Sequence, residues 1–210
     1  MNGKSRMLVM AALFAALSYI GFAVFRIDVP IGPMKTAFHF GNTFVILGAL
    51  FMGGWYGGLA GAIGLTVADL TTGYVIYAPT TFLLKLAIGL ICGFVAHRVG
   101  KIREKTGAMQ TRWAFRATTA AMLFNVIVDP LVSYLRILVL TTVGVTEIAG
   151  KPLKEMTLAQ AVAKMSAVTT LVNAAITIAV VTLSYATIAR MMKNTGVGPG
   201  VKEGRDEKRK

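Results

Sequence analysis

The sequence predicts an all-α integral membrane protein, with six transmembrane helices in one compact bundle and both termini cytoplasmic. Three observations carry this. Of 210 residues, 55% are hydrophobic and only 15% charged, where soluble chains run near 25% charged. Apolar stretches long enough to cross a bilayer recur along most of the chain. The basic residues behind the net charge of +13 fall one-sidedly between and beyond those stretches.

A membrane helix needs about 20 mostly apolar residues, or fewer if its ends are tucked into protein. Residues 7–25 qualify, and no small-residue cleavage site follows them as it would in a secretory leader. Residues 37–52 are short but apolar, and Gly53-Gly54-Trp55-Tyr56-Gly57-Gly58 breaks them. A glycine-rich third span, 59–72, is closed by Gly73-Tyr74. The fourth, 78–99, opens with Pro79 in its first turn, where a missing N–H is tolerated. Pro130 is expected to kink the fifth, 114–142. The sixth, 158–192, is long enough to span and then extend into water. Segments of these lengths leave no room for strands. The membrane domain is 1–193, and the polar, basic tail 194–210 is expected to be disordered.

The charges decide orientation. With both ends inside, the cytoplasmic set is Lys4, Arg6, Arg98, Lys101, Arg103, Lys105, Arg112, Arg116, Arg190, Lys193, Lys202, Arg205, Lys208, Arg209 and Lys210. Outside lie only Arg26, Lys35, Lys151 and Lys154. Fifteen against four is a strong positive-inside bias, and an even number of spans agrees with it. The basic residues face a leaflet whose anionic lipid attracts them, so +13 requires no nucleic-acid partner.

Ionisable groups inside apolar spans are costly and point to function. Here they are Asp69, Lys85, Asp129 and Arg136. At 1.5 Å per residue, Lys85 falls about two turns below the outer surface and Asp69 about one. Asp129 lies in the middle or outer half of its span and Arg136 near its outer end. His39 and Asn42 open the second span on the same side, with Asn125 and Asn173 near midplane. The cytoplasmic half is left apolar, which describes a pocket reached from outside. Asn125, Asp129 and Arg136 share one helix face at i, i+4 and i+11. Lys85 could equally pair with Asp69 or Asp129 to lock helices, and a paired set can still border a ligand. For His39 alone, loop capping is favoured over ligand contact. For Asn173, a helix-to-helix hydrogen bond competes evenly with substrate contact. Tyr74 and Tyr77 belong at a membrane interface, and could also stack on a flat heteroaromatic ligand.

Small residues form a second pattern. Ala11/Ala15 and Ala12/Ala16 repeat at four in the first span, giving a stripe that a partner helix could approach. Gly57/Gly61 and Gly89/Gly93 do the same, and internal packing is the commoner use of such spacings.

Several chemistries are excluded. Gly100-Lys101 and Gly150-Lys151 lack the upstream glycine and the following Ser/Thr of a phosphate loop, so the chain cannot hydrolyse nucleotide to drive transport. No H-E-x-x-H or G-x-S-x-G occurs, and the lone Cys92 rules out a disulfide framework or a Cys-based zinc site. Neither a metal site nor a cofactor is expected, and the protein is not expected to be an enzyme.

One motif string is specific. It runs His39-Phe40-Gly41-Asn42, Leu47-Gly48-Ala49-Leu50, the glycine-rich hairpin, Ala68-Asp69-Leu70, Gly73-Tyr74, then Ile76-Tyr77-Ala78-Pro79-Thr80-Thr81-Phe82-x-x-Lys85. It resembles the substrate-binding S components of energy-coupling factor (ECF) transporters, in the riboflavin-type or pyridoxine/hydroxymethylpyrimidine-type branch. The string covers about residues 37–98; the rest matches in size and span number. The first-span stripe departs from the family, since Tyr19 follows Ala11 and Ala15.

The resemblance implies a prokaryotic plasma-membrane protein that captures a vitamin or precursor at the outer face. An ECF coupling subunit and two ATPases would energise import, and the S component would topple to release its substrate inside. Ala11, Ala12, Ala15 and Ala16 would face the coupling subunit, and residues 30–39 would form a lid. The ligand would lie among the stretch 69–77 and the outer parts of spans four to six. Balanced charge with aromatic groups favours pyridoxine or a hydroxymethylpyrimidine; riboflavin and pantothenate stay open. The competing readings are a self-sufficient secondary transporter or channel, which no obvious inverted repeat supports, and a ligand-free structural subunit.

Overall fold

The computed structural model describes residues 3–145, 147–148, 151–152 and 155–194. The order is α1 (Gly3–Ala23), β1 (Arg26–Ile31), β2 (Met34–His39), α2 (Gly41–Met52), α3 (Gly54–Thr71) and α4 (Ala78–Gly93). There follow α5 (Gly107–Thr142), β3 (Glu147–Ile148), β4 (Lys151–Pro152) and α6 (Glu155–Asn194). A 3-10 turn at Val75–Tyr77 leads into α4, and a π-helical turn at Phe94–Val99 extends it. The tail expected to be disordered lies, from residue 195 onward, outside the described residues.

Helices dominate, and four helical segments are long and apolar enough to cross a membrane: Gly3–Ala23, Val75–Val99, Gly107–Thr142 and Leu158–Met191. The other two need a different account. At 1.5 Å per residue, the 12 residues of α2 reach only about 18 Å, short of a hydrocarbon core of about 30 Å. Every α2 residue except Phe44 is buried, as expected of a helix that is apolar on all sides. It forms the axis of the bundle, with Ile46 and Leu50 packed in the core cluster beside Ile88, Met122 and Val181.

The glycines set the spacing around that axis. Gly53, at φ +97°, reverses the chain between α2 and α3. A Cβ on Gly57 would stand 2.1 Å from the Ala49 backbone N, and one on Gly64 would stand 2.1 Å from the Ala15 carbonyl O. On the remaining side, a Cβ on Gly89 would meet Gly58 Cα at 2.2 Å. Thus α3 touches α2, α1 and α4 backbone to backbone, and the glycine spacings serve internal packing. Ala11 and Ala15 belong to the inward side of α1, whereas Ala12 and Ala16 are exposed beside Leu8, Leu13 and Ile20.

One expectation is corrected. The chain does hold strands: β1 and β2 pair antiparallel from Ile31↔Met34 to Arg26↔His39, and β3 pairs with β4. Ile27, Val29 and Ile31 alternate along β1, and Gly32-Pro33 forms a two-residue turn. Gly32 takes φ +59°, which the primed hairpin turns require. Residues 37–39, assigned to the second span, therefore end β2, and α2 starts at Gly41. The fifth helix, α5, starts at Gly107 and holds Pro130 within it.

Candidate functional site

The hairpin packs against α6 and the turn before α4, closing one side of a cavity of about 80 Å³. All ten residues singled out for substrate line this one cavity: His39, Asn42, Asp69, Tyr74, Tyr77, Lys85, Asn125, Asp129, Arg136 and Asn173. They come from the hairpin, the helices around it and the turn between α3 and α4. The long-range packing of the bundle assembles the site.

Asp69, Lys85, Asp129 and Arg136 border it with no direct ion pair among them, and Lys35 of β2 borders it as well. The ion pairs within 4.0 Å among the described residues are Arg26–Asp28, at 2.9 Å, and Lys35–Asp28, at 3.9 Å, both in the hairpin. The expected alternative, Lys85 locked to Asp69 or Asp129, is not what forms. Lys85 Nζ instead donates to Asn125 Oδ1 across 3.4 Å. Asp129 Oδ2 is occupied by the Ser166 and Thr170 hydroxyls of α6, at 2.6 and 2.8 Å. Arg136 Nη2 donates to Thr80 Oγ1. Hydroxyls and an amide have displaced the carboxylates as partners.

That exchange leaves orphans. Asp69 Oδ2, Asn42 Oδ1 and Arg136 Nε and Nη1 are buried without a hydrogen-bond partner. Asp69 is 3% exposed and Asn42 1%. Buried polar atoms cost free energy when unmet, and charged ones cost most. Two acceptors and two donors thus stand unpaired on residues that border the cavity.

The remaining predicted residues are engaged with the hairpin. Tyr74 Oη donates to Asp28 Oδ1 at 2.9 Å and approaches Thr36 O at 3.2 Å. Burial, reinforced by that bond to Asp28, holds the Tyr74 hydroxyl above its ordinary titration range. Its ring carries Lys35 Nζ at 4.0 Å and stands edge-on to Phe22. Tyr77 offers its ring to Arg136 at 4.3 Å. His39 Nδ1 accepts the Gly41 N–H at 3.1 Å, meeting an otherwise unpaired donor at the start of α2. Burial, and secondarily the Lys85 charge, push His39 down to about 3, so its ring is neutral at physiological pH. With Nδ1 accepting, the ring proton sits on Nε2. Asn173 does not bridge helices: its amide bonds the β2 backbone at Ala37 and His39.

Sequence reasoning missed the hydroxyl lining. Ser166, Thr169 and Thr170 border the cavity with Asn173. Their spacing of i, i+3, i+4 and i+7 within an apolar span marks one polar helix face, and was the available signal. Ser133 extends the face of Asn125 and Asp129 and touches Ser166 at 3.2 Å. The described residues hold no group of three His, Cys, Asp or Glu able to bind a metal ion.

The family model described as ECF-type riboflavin transporter, S component, matches residues 2–190. Neither the curated proteins nor the solved structures yield a match. A site of unpaired polar groups inside apolar helices, on a chain without a phosphate loop, is what a substrate-capturing subunit needs, and by the match along nearly its whole length this chain belongs to the ECF-type riboflavin transporter S component family.

Proposed function

We propose that the cavity captures a small vitamin or vitamin precursor at the outer face of a prokaryotic plasma membrane. Delivery would proceed with an ECF coupling subunit and two ATPases. One observation carries this reading: Asp69, Lys85, Asp129 and Arg136 border one cavity with no direct ion pair among them. A protein that used these charges only as interhelical glue would have paired them. Family membership supports the transporter role. Among the described residues the hairpin end carries Arg26, Lys35, Lys151 and Lys164, and the other end Lys4, Arg6, Arg98, Lys101, Arg103, Lys105, Arg112, Arg116 and Arg190, which supports a six-span arrangement with the hairpin outside.

The favoured substrate is a single flat ring bearing hydroxymethyl groups, such as pyridoxine or a hydroxymethylpyrimidine. Its hydroxyls can donate to Asp69 and Asn42, and its ring nitrogen can accept from Arg136. Both tyrosine rings already hold cations, which leaves little aromatic platform for a larger ring system. Riboflavin is the second reading, favoured by the description of the matching family, and pantothenate follows.

Titration calorimetry on the purified protein, without ATP, tests both. Pyridoxine, hydroxymethylpyrimidine, riboflavin and pantothenate form the panel. Micromolar or tighter binding of one of the first two is expected. Riboflavin alone binding would select the second reading, and no binding by any would refute the proposal. The exposed Ala12 and Ala16, with the inward Ala11 and Ala15 beneath them, are proposed as the contact for the coupling subunit.

A further inference from the structure

A two-stranded ladder leaves one edge of each strand open. In a two-residue hairpin the flanking residues Ile31 and Met34 form a hydrogen-bonded pair, and bonded pairs then alternate. Val29/Thr36 and Ile27/Phe38 follow as bonded pairs. The main-chain groups of Lys35, Ala37 and His39 therefore point away from β1. Pro30 fits the same logic: opposite Lys35, in a non-bonded pair, its missing N–H costs nothing.

Among the described residues no strand covers that open edge of β2; side chains do. Tyr77 Oη accepts the Lys35 N–H at 3.1 Å and donates to the Lys35 carbonyl at 2.7 Å. Asn173 Oδ1 accepts the His39 N–H at 3.0 Å, while its Nδ2 donates to the Ala37 carbonyl at 2.9 Å. One carboxamide thus offers the same acceptor and donor that a neighbouring strand's peptide group would supply. Tyr77 reaches the edge from the turn before α4 and Asn173 from α6, and both line the cavity that the hairpin closes. Apolar contact adds to this hold, since Met34 is 2% exposed and packs with Ile137, Ala159 and Val162.

The geometry points to Tyr77 and Asn173 as a latch: positioning residues that hold the hairpin shut and set how long a ligand stays, while other groups read its chemistry. This rests on reading the cavity as a ligand site. Other contacts hold the hairpin too, among them Thr36 Oγ1 to Thr169 Oγ1 at 2.8 Å and Tyr74 Oη to Asp28 Oδ1 at 2.9 Å, so the latch is a separable part of what keeps it shut. Losing two such bonds should raise the open population about 5- to 150-fold.

Hydrogen exchange on the full-length, ligand-free protein tests the latch with Tyr77→Phe, Asn173→Asp and the double variant. Tyr77→Phe keeps the ring under Arg136, and Asn173→Asp keeps the acceptor for His39, so both preserve the packing. Faster exchange confined to residues 34–39 is expected, largest in the double variant, with helix protection unchanged. Unchanged exchange there, or loss spread through α2 to α6, would overturn the latch. With pyridoxine as the probe, the dissociation rate should rise by a similar factor while association is not slowed; slower association with unchanged dissociation would also overturn it. Because the exchange arm needs no ligand, a failed latch and a failed vitamin assignment give different results.

Discussion

Replacing Lys85 by methionine separates a ligand site from interhelical glue. The two readings differ in what the free protein loses. Removing one member of a buried ion pair costs about 3–5 kcal/mol, because the partner charge is stranded. Lys85 is 8% exposed but strands no carboxylate, since its contact is the 3.4 Å bond to Asn125. That bond is longer than the usual 2.7–3.2 Å range, so its net value is at most about 1 kcal/mol. Methionine preserves the length of the side chain and removes the desolvated charge. The ligand-free Lys85→Met protein should therefore unfold at the same temperature as the parent, or higher. A ligand would lose one charge-assisted hydrogen bond, worth about 1.5–3 kcal/mol, which weakens Kd about 10- to 150-fold. Thermal unfolding in detergent with and without ligand, together with calorimetry, reads both quantities. A large drop in the ligand-free midpoint with affinity unchanged would refute the reasoning and make Lys85 structural.

Three further perturbations follow from the packing and the charges. Gly57→Val should abolish folding, because its Cβ would lie 2.1 Å from the Ala49 backbone; expression and size-exclusion profile check this, with Gly3→Val, which meets nothing, as the control. Folding lowers His39 from its ordinary value of 6.5 to about 3. A depressed folded pKa means the unfolded chain binds the proton first, so stability falls as pH drops below about 6.5. The unfolding midpoint should decline from pH 7 to pH 5, and His39→Gln should flatten that slope. Ala16→Trp on the exposed face of α1 should leave vitamin binding intact and stop uptake by the assembled transporter; unimpaired uptake would remove Ala16 from the partner interface.

The helices were legible because hydropathy and glycine spacing act locally. The hairpin was not, although its signals were present. Ile27, Val29, Ile31 and the Gly32-Pro33 turn occupy a short stretch between two strong apolar runs, and Ala37-Phe38 reads as the continuation of the second run. What makes this segment a strand is tertiary: Tyr77 and Asn173 supply the edge partners. The same limit explains the site. Charges in apolar spans could be found from sequence, and all four lie on one cavity. Their partners could not. Whether Lys85 meets a carboxylate or Asn125 depends on helix rotation, and whether Asp129 meets Lys85 or the hydroxyls of α6 depends on which helix stands nearest. The α6 hydroxyls were hidden for another reason, since serine and threonine are common in membrane helices and commonly bond their own backbone, as Thr169 also does at 3.0 Å to Met165.

The division of the molecule along its axis bears on how it moves a substrate. The cavity and its four charges sit at the hairpin end. Beyond Asn125 the interior is filled by Ile46, Leu50, Ile88, Met122 and Val181, none more than 1% exposed. Around them α3 and α4 meet through Gly58 and Gly89, and Gly54 and Gly93, with no room for a side chain. A channel or self-contained carrier has to line a route through this region with polar groups, or separate these helices to make one. Separating them means pulling apart backbones in direct contact, across the best-packed part of the bundle. Opening the hairpin breaks its edge hydrogen bonds and frees Met34 from its cluster, but leaves those backbones in contact. The motion that leaves those backbones in contact connects the cavity to one side alone, which supports the proposal that delivery to the other side depends on a partner.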